Sequence, residues 1–425
     1  MKRTHAMLAG LAVASLVLTA CGRDDDSGAG GEAQSTAIAE GEATGTIEVW
    51  AMGTEGEELG DFVADFEDAN PDADVKVTAV PWEAAHDKIA NAIAGGDTPD
   101  VSLIGTTWMG EFAAADGLMP TPDGLVEEAD FFPGPWQSTE VGGTSYGVPW
   151  YVETRVLYYL TDLAAKAGWD QPPKSWDELH QFAADLQEAG AAHGIYLQPG
   201  QAGSWQTYLP FAWSSGAALT NEEGTQYTLD SPEMAEALDF YTQFYEDGLS
   251  VTRALDPGEI ESTFADGALG SFISGPWHTG LVEDAGLEEE QYAVAPMPGR
   301  DGGMGTSFVG GGNLAVFKDA QNPEAAWKLV QWLSDPEVQQ DWYDEIGDLP
   351  AVHEAWETGD LADDPQLAVF GEQLGDAQSP PSVPTWEQVA AAIDSVVEQA
   401  ARGKLSGTDA VEQMQSEAQS IGTGL

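Results

Sequence analysis

The 425-residue sequence holds a single cysteine, Cys21, so no internal disulfide can form, and without a C-x-x-C pair neither a thiolate zinc site nor dithiol redox chemistry is available. Basic residues are nearly as scarce: 14 Lys and Arg stand against 73 Asp and Glu, a formal net charge of −59. Such a surface repels phosphate backbones and anionic head groups, and it has few cationic clamps for a phosphorylated ligand, which argues against nucleic acid as a partner. His86, His180, His193, His278 and His353 are widely separated and form no H-E-x-x-H, so neither a metal nor a cofactor is expected. After the N-terminus there is no long apolar run, and no fixed-period repeat is present, which disfavours multispan and solenoid architectures. What remains is ample for folding. Hydrophobic residues make up 42% and aromatic residues 9%, and the length exceeds what one core usually serves, so two lobes are expected.

Residues 1–20 carry Lys2 and Arg3, then the apolar run Met7 to Leu18, then small residues before Cys21. This is the pattern of a signal peptide, too short for a stable membrane span. Leu18-Thr19-Ala20-Cys21 resembles the bacterial lipobox, in which the cysteine is diacylated and becomes the mature N-terminus; Cys21 is thus the candidate lipidation site. From Gly22 to about Thr44 the chain is Gly, Ala, Ser, Asp and Glu with little to bury, so residues 21–45 are read as a flexible linker on a lipid-anchored, extracytoplasmic protein.

The folded body begins at about Thr46. Thr46 to Trp50, Val75 to Val80 and Val101 to Ile104 are strand-like, and amphipathic stretches containing Leu59, Phe62, Val63 and Phe66, and then Trp82 to Ala94, lie between them. This alternation favours a mostly parallel sheet covered by helices, with ligand sites beyond the carboxyl ends of the strands. Ser175-Trp176-Asp177-Glu178 is a capping box opening a helix with the stripe Trp176, Leu179, Phe182 and Leu186. Ser231-Pro232 opens another that ends at Gly248, and Asn322-Pro323 and Ser334-Asp335-Pro336 punctuate a helix pair.

Catalytic signatures are weak. Gly143-Thr144-Ser145-Tyr146-Gly147 fits G-x-S-x-G, but Val148-Pro149 follows where a helix is needed, so a turn between two short strands is the better reading. The Gly299 to Gly312 stretch lacks the spacing and terminal Lys-Ser/Thr of a P-loop. Carboxylates are too numerous for composition to exclude a glycosidase pair. Tryptophan, present 15 times, stands out because Trp108, Trp136, Trp150, Trp205, Trp213 and Trp277 sit beside Gly, Pro or turn residues. Indole faces suit the C–H faces of sugar rings, and carboxylates accept hydrogen bonds from their hydroxyls.

The run Tyr146-Gly-Val-Pro-Trp-Tyr-Val-Glu-Thr-Arg-Val-Leu-Tyr-Tyr-Leu, followed by Asp162-Leu163, Lys166-Ala167-Gly168 and Pro172 to Leu179, resembles the family 1 extracellular solute-binding proteins of ABC importers, a group that includes maltose and trehalose/maltose binding proteins. Gly95 to Val101, Ser274-Gly275-Pro276-Trp277, Pro296 to Gly299, Gly310 to Asn313 and Asn322 to Trp327 continue the likeness in order across nearly the whole mature chain. The resemblance implies an α/β, two-lobe periplasmic-binding-protein-like fold with hinge strands and a ligand cleft. Lobe 1 would comprise 46–153 and 297–350, and lobe 2 would comprise 154–296 and 351–425, with crossings near Glu153 to Val156, Tyr292 to Pro296 and Gly347 to Val352.

It also implies binding positions. An acidic residue after the first strand would be Glu55 or Glu57. The loop after Val101 to Ile104 has Gly105 where relatives often place aspartate, leaving Thr106, Thr107 and Trp108. Tyr151 and Glu153 match a Tyr-x-acid pair, Trp277 an aromatic that stacks on a ring, and Gly311 and Gly312 positions that admit backbone donors to the ligand. Trp82 and Trp213 are further aromatic candidates. An arginine of some disaccharide-binding relatives is missing, because Pro380-Pro381-Ser382-Val383-Pro384 stands there. The expectation is a monomeric, non-enzymatic receptor delivering a carbohydrate to an ABC permease. An exported glycoside hydrolase and a receptor for a non-sugar ligand remain open, as does the origin of the acidity in a saline habitat or in ligand steering.

Overall fold

The computed structural model describes residues 37–256 and 258–425; the expected signal peptide, Cys21 and the expected linker up to residue 36 lie outside the described residues. Strand β1 (Thr44–Met52) starts two residues before Thr46, β2 (Asp72–Val80) three before Val75, and β3 (Val101–Gly105) ends one beyond Ile104. The apolar stretch after β1 is two helices, Gly53–Phe62 and Ala64–Ala69, instead of one. Helix Trp82–Gly95 closes on Gly96, whose φ of +67° a residue with a side chain rarely adopts.

The remaining strands are β4 (Glu140–Val141), β5 (Thr144–Ser145), β6 (Val148–Thr154), β7 (Val156–Leu160), β8 (Ser271–Ser274), β9 (Tyr292–Ala295), β10 (Ser307–Val316), β11 (Leu349–Pro350) and β12 (Ala377–Gln378). A seven-stranded sheet runs β11-β6-β10-β3-β1-β2, with β12 paired to β10, and a three-stranded sheet runs β8-β7-β9. β1 is parallel to β2 and β3, but β10 is antiparallel to β3 and β6, and β11 to β6. The expected mostly parallel sheet is therefore mixed. The local β-α-β alternation fixes only the first three strands; β6, β10 and β11 come from later chain segments whose direction no short pattern encodes.

Only Arg155 separates β6 from β7, so the chain leaves the large sheet and enters the small one within a single residue. The period-two alternation of β7 then serves two cores. Tyr158 joins the cluster beneath the large sheet with Ile47, Leu103, Trp150 and Trp327. Leu157 joins Phe182, Tyr208, Leu238, Trp386 and Met414, contributed by helices Trp176–Ala189, Trp205–Ser214, Pro232–Glu246, Trp386–Ala401 and Gly407–Ile421. The Ser175 hydroxyl accepts from the Glu178 N–H (3.2 Å), while the Glu178 carboxylate reaches one residue further back, to the Lys174 N–H at 2.7 Å. β4 and β5 form a hairpin through Gly142 (φ +60°) and Gly143 (φ +80°). Ser145 of the G-x-S-x-G match lies in β5, with the turn ahead of it at Gly142-Gly143, and its hydroxyl engages those of Thr121 and Thr139 and the Gly147 carbonyl.

Candidate ligand-binding cleft

The three parallel strands deliver their carboxyl ends to one place: Glu55 follows β1, Trp82 follows β2, and Thr106 to Trp108 follow β3. Glu55 is buried and Glu57 is exposed, so of the two candidates Glu55 is the one turned inward. Gly53, at φ +56°, makes the approach possible, because a Cβ there would lie 2.9 Å from the Trp82 indole and 3.2 Å from Glu55 Oε2. Trp82 meets Trp108 edge to face with ring centroids 5.7 Å apart. The Trp108 indole in turn covers Gly105, where a Cβ would be 3.3 Å from the ring. The indole thus occupies the space that an aspartate side chain would need.

On β6, Tyr151 and Glu153 share one face, while Trp150 and Val152 point into the core, Trp150 stacking on Trp342 with centroids 4.9 Å apart. Tyr151 and Glu153 line two cavities. One, of about 570 Å³, is also bounded by Trp277, Glu283, Tyr343 and Asp348. The other, of about 340 Å³, is bounded by Trp82, Thr106, Trp108, Gln206, Phe308 and Gly311. Trp277, at the start of helix Trp277–Asp284, is 42% exposed although it is a large apolar residue.

Trp213 lines neither cavity; it is buried within the helical core, together with Trp205 and near the far end of their shared helix. Gln206, on the first turn of that helix, is the residue that reaches the smaller cavity, and sequence reasoning missed it. Its position is fixed from outside the helix: Asp394 accepts from the Ser204 hydroxyl (2.7 Å) and from the N–H groups of Gly203 and Trp205 (2.8 Å each). Gly312 also lines neither cavity. It sits in the ladder between β3 and β6, and a Cβ there would be 2.2 Å from Leu103 Cδ1 and 2.8 Å from the Tyr151 ring, so strand approach, not ligand approach, requires glycine. Gly311 does border the smaller cavity, at φ +119°.

Asp348 is a second residue that sequence reasoning missed, although it lies in the segment expected to cross between lobes. Its Oδ2 accepts from Trp342 Nε1–H at 3.2 Å. Burial, followed by the charge of Glu55, pushes the Asp348 carboxyl well above the usual range, with Glu153 adding to the effect. Burial also raises Glu55. Tyr151, raised by burial and by its three acidic neighbours, stays a neutral hydroxyl donor among acceptors. The cleft therefore presents aromatic faces and carboxylate acceptors, a set suited to stacking on a ring and accepting from its substituents.

Residues 51–340 match the model of the bacterial extracellular solute-binding proteins, and the chain belongs to that family, whose members are binding proteins. It is 31% identical over 346 residues to the diacetylchitobiose-binding protein DasA of Streptomyces coelicolor, spanning 78% of each chain. The solved sugar-binding protein MalE of Xanthomonas citri is 34% identical and superposes with a TM-score of 0.83 over 89% of this chain and 97% of that one. The GacH receptor of Streptomyces glaucescens, solved unliganded and with acarbose, is 26% identical, with a TM-score of 0.75 over 89% of this chain and 99% of its own. The fold is the two-lobe α/β architecture of these receptors.

Proposed function

We propose that the protein captures a carbohydrate, an oligosaccharide, outside the cytoplasm and delivers it chemically unchanged to an ABC permease. The observation that carries this reading is the strand face of Tyr151 and Glu153, which borders two cavities, one walled by Trp277 and the other by Trp82 and Trp108. The cavities, of about 570 and 340 Å³, fall in the range of small-molecule sites and together exceed the needs of one sugar ring. The sugar-binding relatives support the same class of ligand. Neutral hydroxyls answer the carboxylates as donors, and apolar ring faces answer the indoles.

In this reading lobes 46–153 plus 297–350 and 154–296 plus 351–425 close on the ligand, and the closed form docks on the permease. Cys21 carries the lipid that holds the receptor, as a monomer, at the outer face of the membrane. The test is calorimetry with maltotriose, diacetylchitobiose and a galacto-oligosaccharide. Wild-type protein binds at least one of them, and the double variant Trp277→Ala/Glu153→Ala loses affinity by about a hundredfold or more, the sum expected for one stacked ring and one charge-assisted bond. Undiminished affinity in a folded double variant removes both residues from the site. No binding of any of these sugars by wild-type protein rejects the ligand class.

A further inference from the structure

We propose that Arg155, the single residue between the two sheets, is the positioning residue for Trp277, holding the indole by its inner face so that the outer face is presented to the ligand. The inference rests on the sugar-receptor reading for its consequence, but its geometry is independent of it. Arg155 is 7% exposed, yet it belongs to neither β6 nor β7, and its backbone carbonyl accepts from the Ser307 hydroxyl of β10 at 2.7 Å. The residue is thus anchored by its backbone where three strands of both sheets come together. Its guanidinium lies over the Trp277 ring, 4.5 Å from the centroid, and over Phe308 at 5.4 Å.

The polar edge of the same group is held by the cleft. Nη2 donates to Gln206 Oε1 at 2.6 Å and lies 3.5 Å from Glu153 Oε1. Gln206 lines the smaller cavity, Trp277 the larger one and Glu153 both, so one buried cation touches residues of both compartments. Nη1 points toward Gly275, where a Cβ would be 2.7 Å from it and 2.0 Å from Trp277 Cζ3. Glycine at 275 is what leaves room beside the chain for both the indole and the guanidinium. A planar cation can serve as a stacking platform and as a hydrogen-bond fork at once, whereas an ammonium supplies the charge but no face.

Lysine and glutamine variants separate the face from the charge. Arg155→Gln and Arg155→Lys are compared with wild type by acrylamide quenching, with Trp277→Phe and the Trp277→Phe/Arg155→Gln and Trp277→Phe/Arg155→Lys double variants isolating the Trp277 signal in each background, and by calorimetry with the same three sugars. Both substitutions should make Trp277 more quenchable, and both should weaken the bound sugar by about tenfold, the scale of a desolvated cation–π contact. Wild-type quenching of Trp277 in either variant overturns the proposal, as does wild-type affinity in Arg155→Lys. Gln206→Ala leaves the buried charge in place but removes one of its two polar holds; a smaller rise in Trp277 quenching is expected, and none overturns the proposal should the Arg155 variants fail to fold. If wild-type protein binds none of the sugars, the ligand reading fails, and the quenching comparison still decides whether Arg155 positions Trp277.

Discussion

Three carboxyl groups lie near the Tyr151 hydroxyl, and among the described residues only Glu153 of the three has a cation within reach. Burial and then the Glu55 charge raise the Asp348 carboxyl in a partly dry interior, where charges are poorly screened. Because the native pKa of Asp348 is raised, folding holds its proton while the unfolded chain releases it in the ordinary carboxylate range. Stability from this group is complete below that range and is lost as pH rises through the native value. Asp348→Asn keeps an acceptor for Trp342 Nε1–H and removes the titration. In urea melts the variant should match wild type near pH 4 and exceed it increasingly toward about pH 8; parallel profiles would contradict the electrostatic account. None of this was legible in the sequence, since Asp348 is one of 73 acidic residues and only the fold sets it beside Glu55. Tyr151 and Glu153 were candidates through the family resemblance alone; the strand sets both on one face, with the alternate residues Trp150 and Val152 in the core.

Strand β10 shows why its glycines differ in kind although they are consecutive. At Gly311 a side chain would need φ +119° and would bring its Cβ within 2.2 Å of the Tyr151 carbonyl oxygen, a backbone atom that cannot turn away. At Gly310 the nearest obstacle is Glu153 Oε1, at 2.6 Å, with the Phe308 ring edge at 2.9 Å. Those are side chains, and they can move. Gly311→Ala should therefore cost about 2–3 kcal/mol or more in chemical denaturation, through strain and separation of β10 from β6. Gly310→Ala should cost less stability but displace Glu153, weakening sugar binding measured by calorimetry. The reverse ranking would mean that β6 and β10 slide more easily than their ladder implies. At this scale the sequence was most informative where one segment contained its own signals, as at the Ser175 and Ser231 caps. It was least informative where partners are distant. Strand β10 owes its two antiparallel neighbours, β3 and β6, to segments more than 150 residues away, and Trp213 was misjudged because a helix of mostly apolar residues conceals which side faces the core.

For the molecule as a whole, the composition predicted two lobes from length and the motifs predicted a cleft, but the −59 charge bears on neither. It bears on stability. Most carboxylates that no cation neutralises are spread over the surface, and compaction brings them closer than they are in the unfolded chain, so their repulsion acts against folding. Salt reduces that opposition as the screening length falls from about 8 Å at physiological ionic strength to about 3 Å at 1 M. Melting temperature should therefore climb with NaCl and level off toward molar concentration, when neighbouring charges no longer sense one another. Sulfate offers the control, because it also strengthens apolar burial through exclusion from the surface. If screening dominates, NaCl and sodium sulfate should give coincident melting curves at equal ionic strength in the lower range and diverge only at high salt. A flat response to NaCl accompanied by a rise in sulfate would assign the stability to the cores alone, and would leave the acidic surface to be explained by attraction of cations or partners to the cleft.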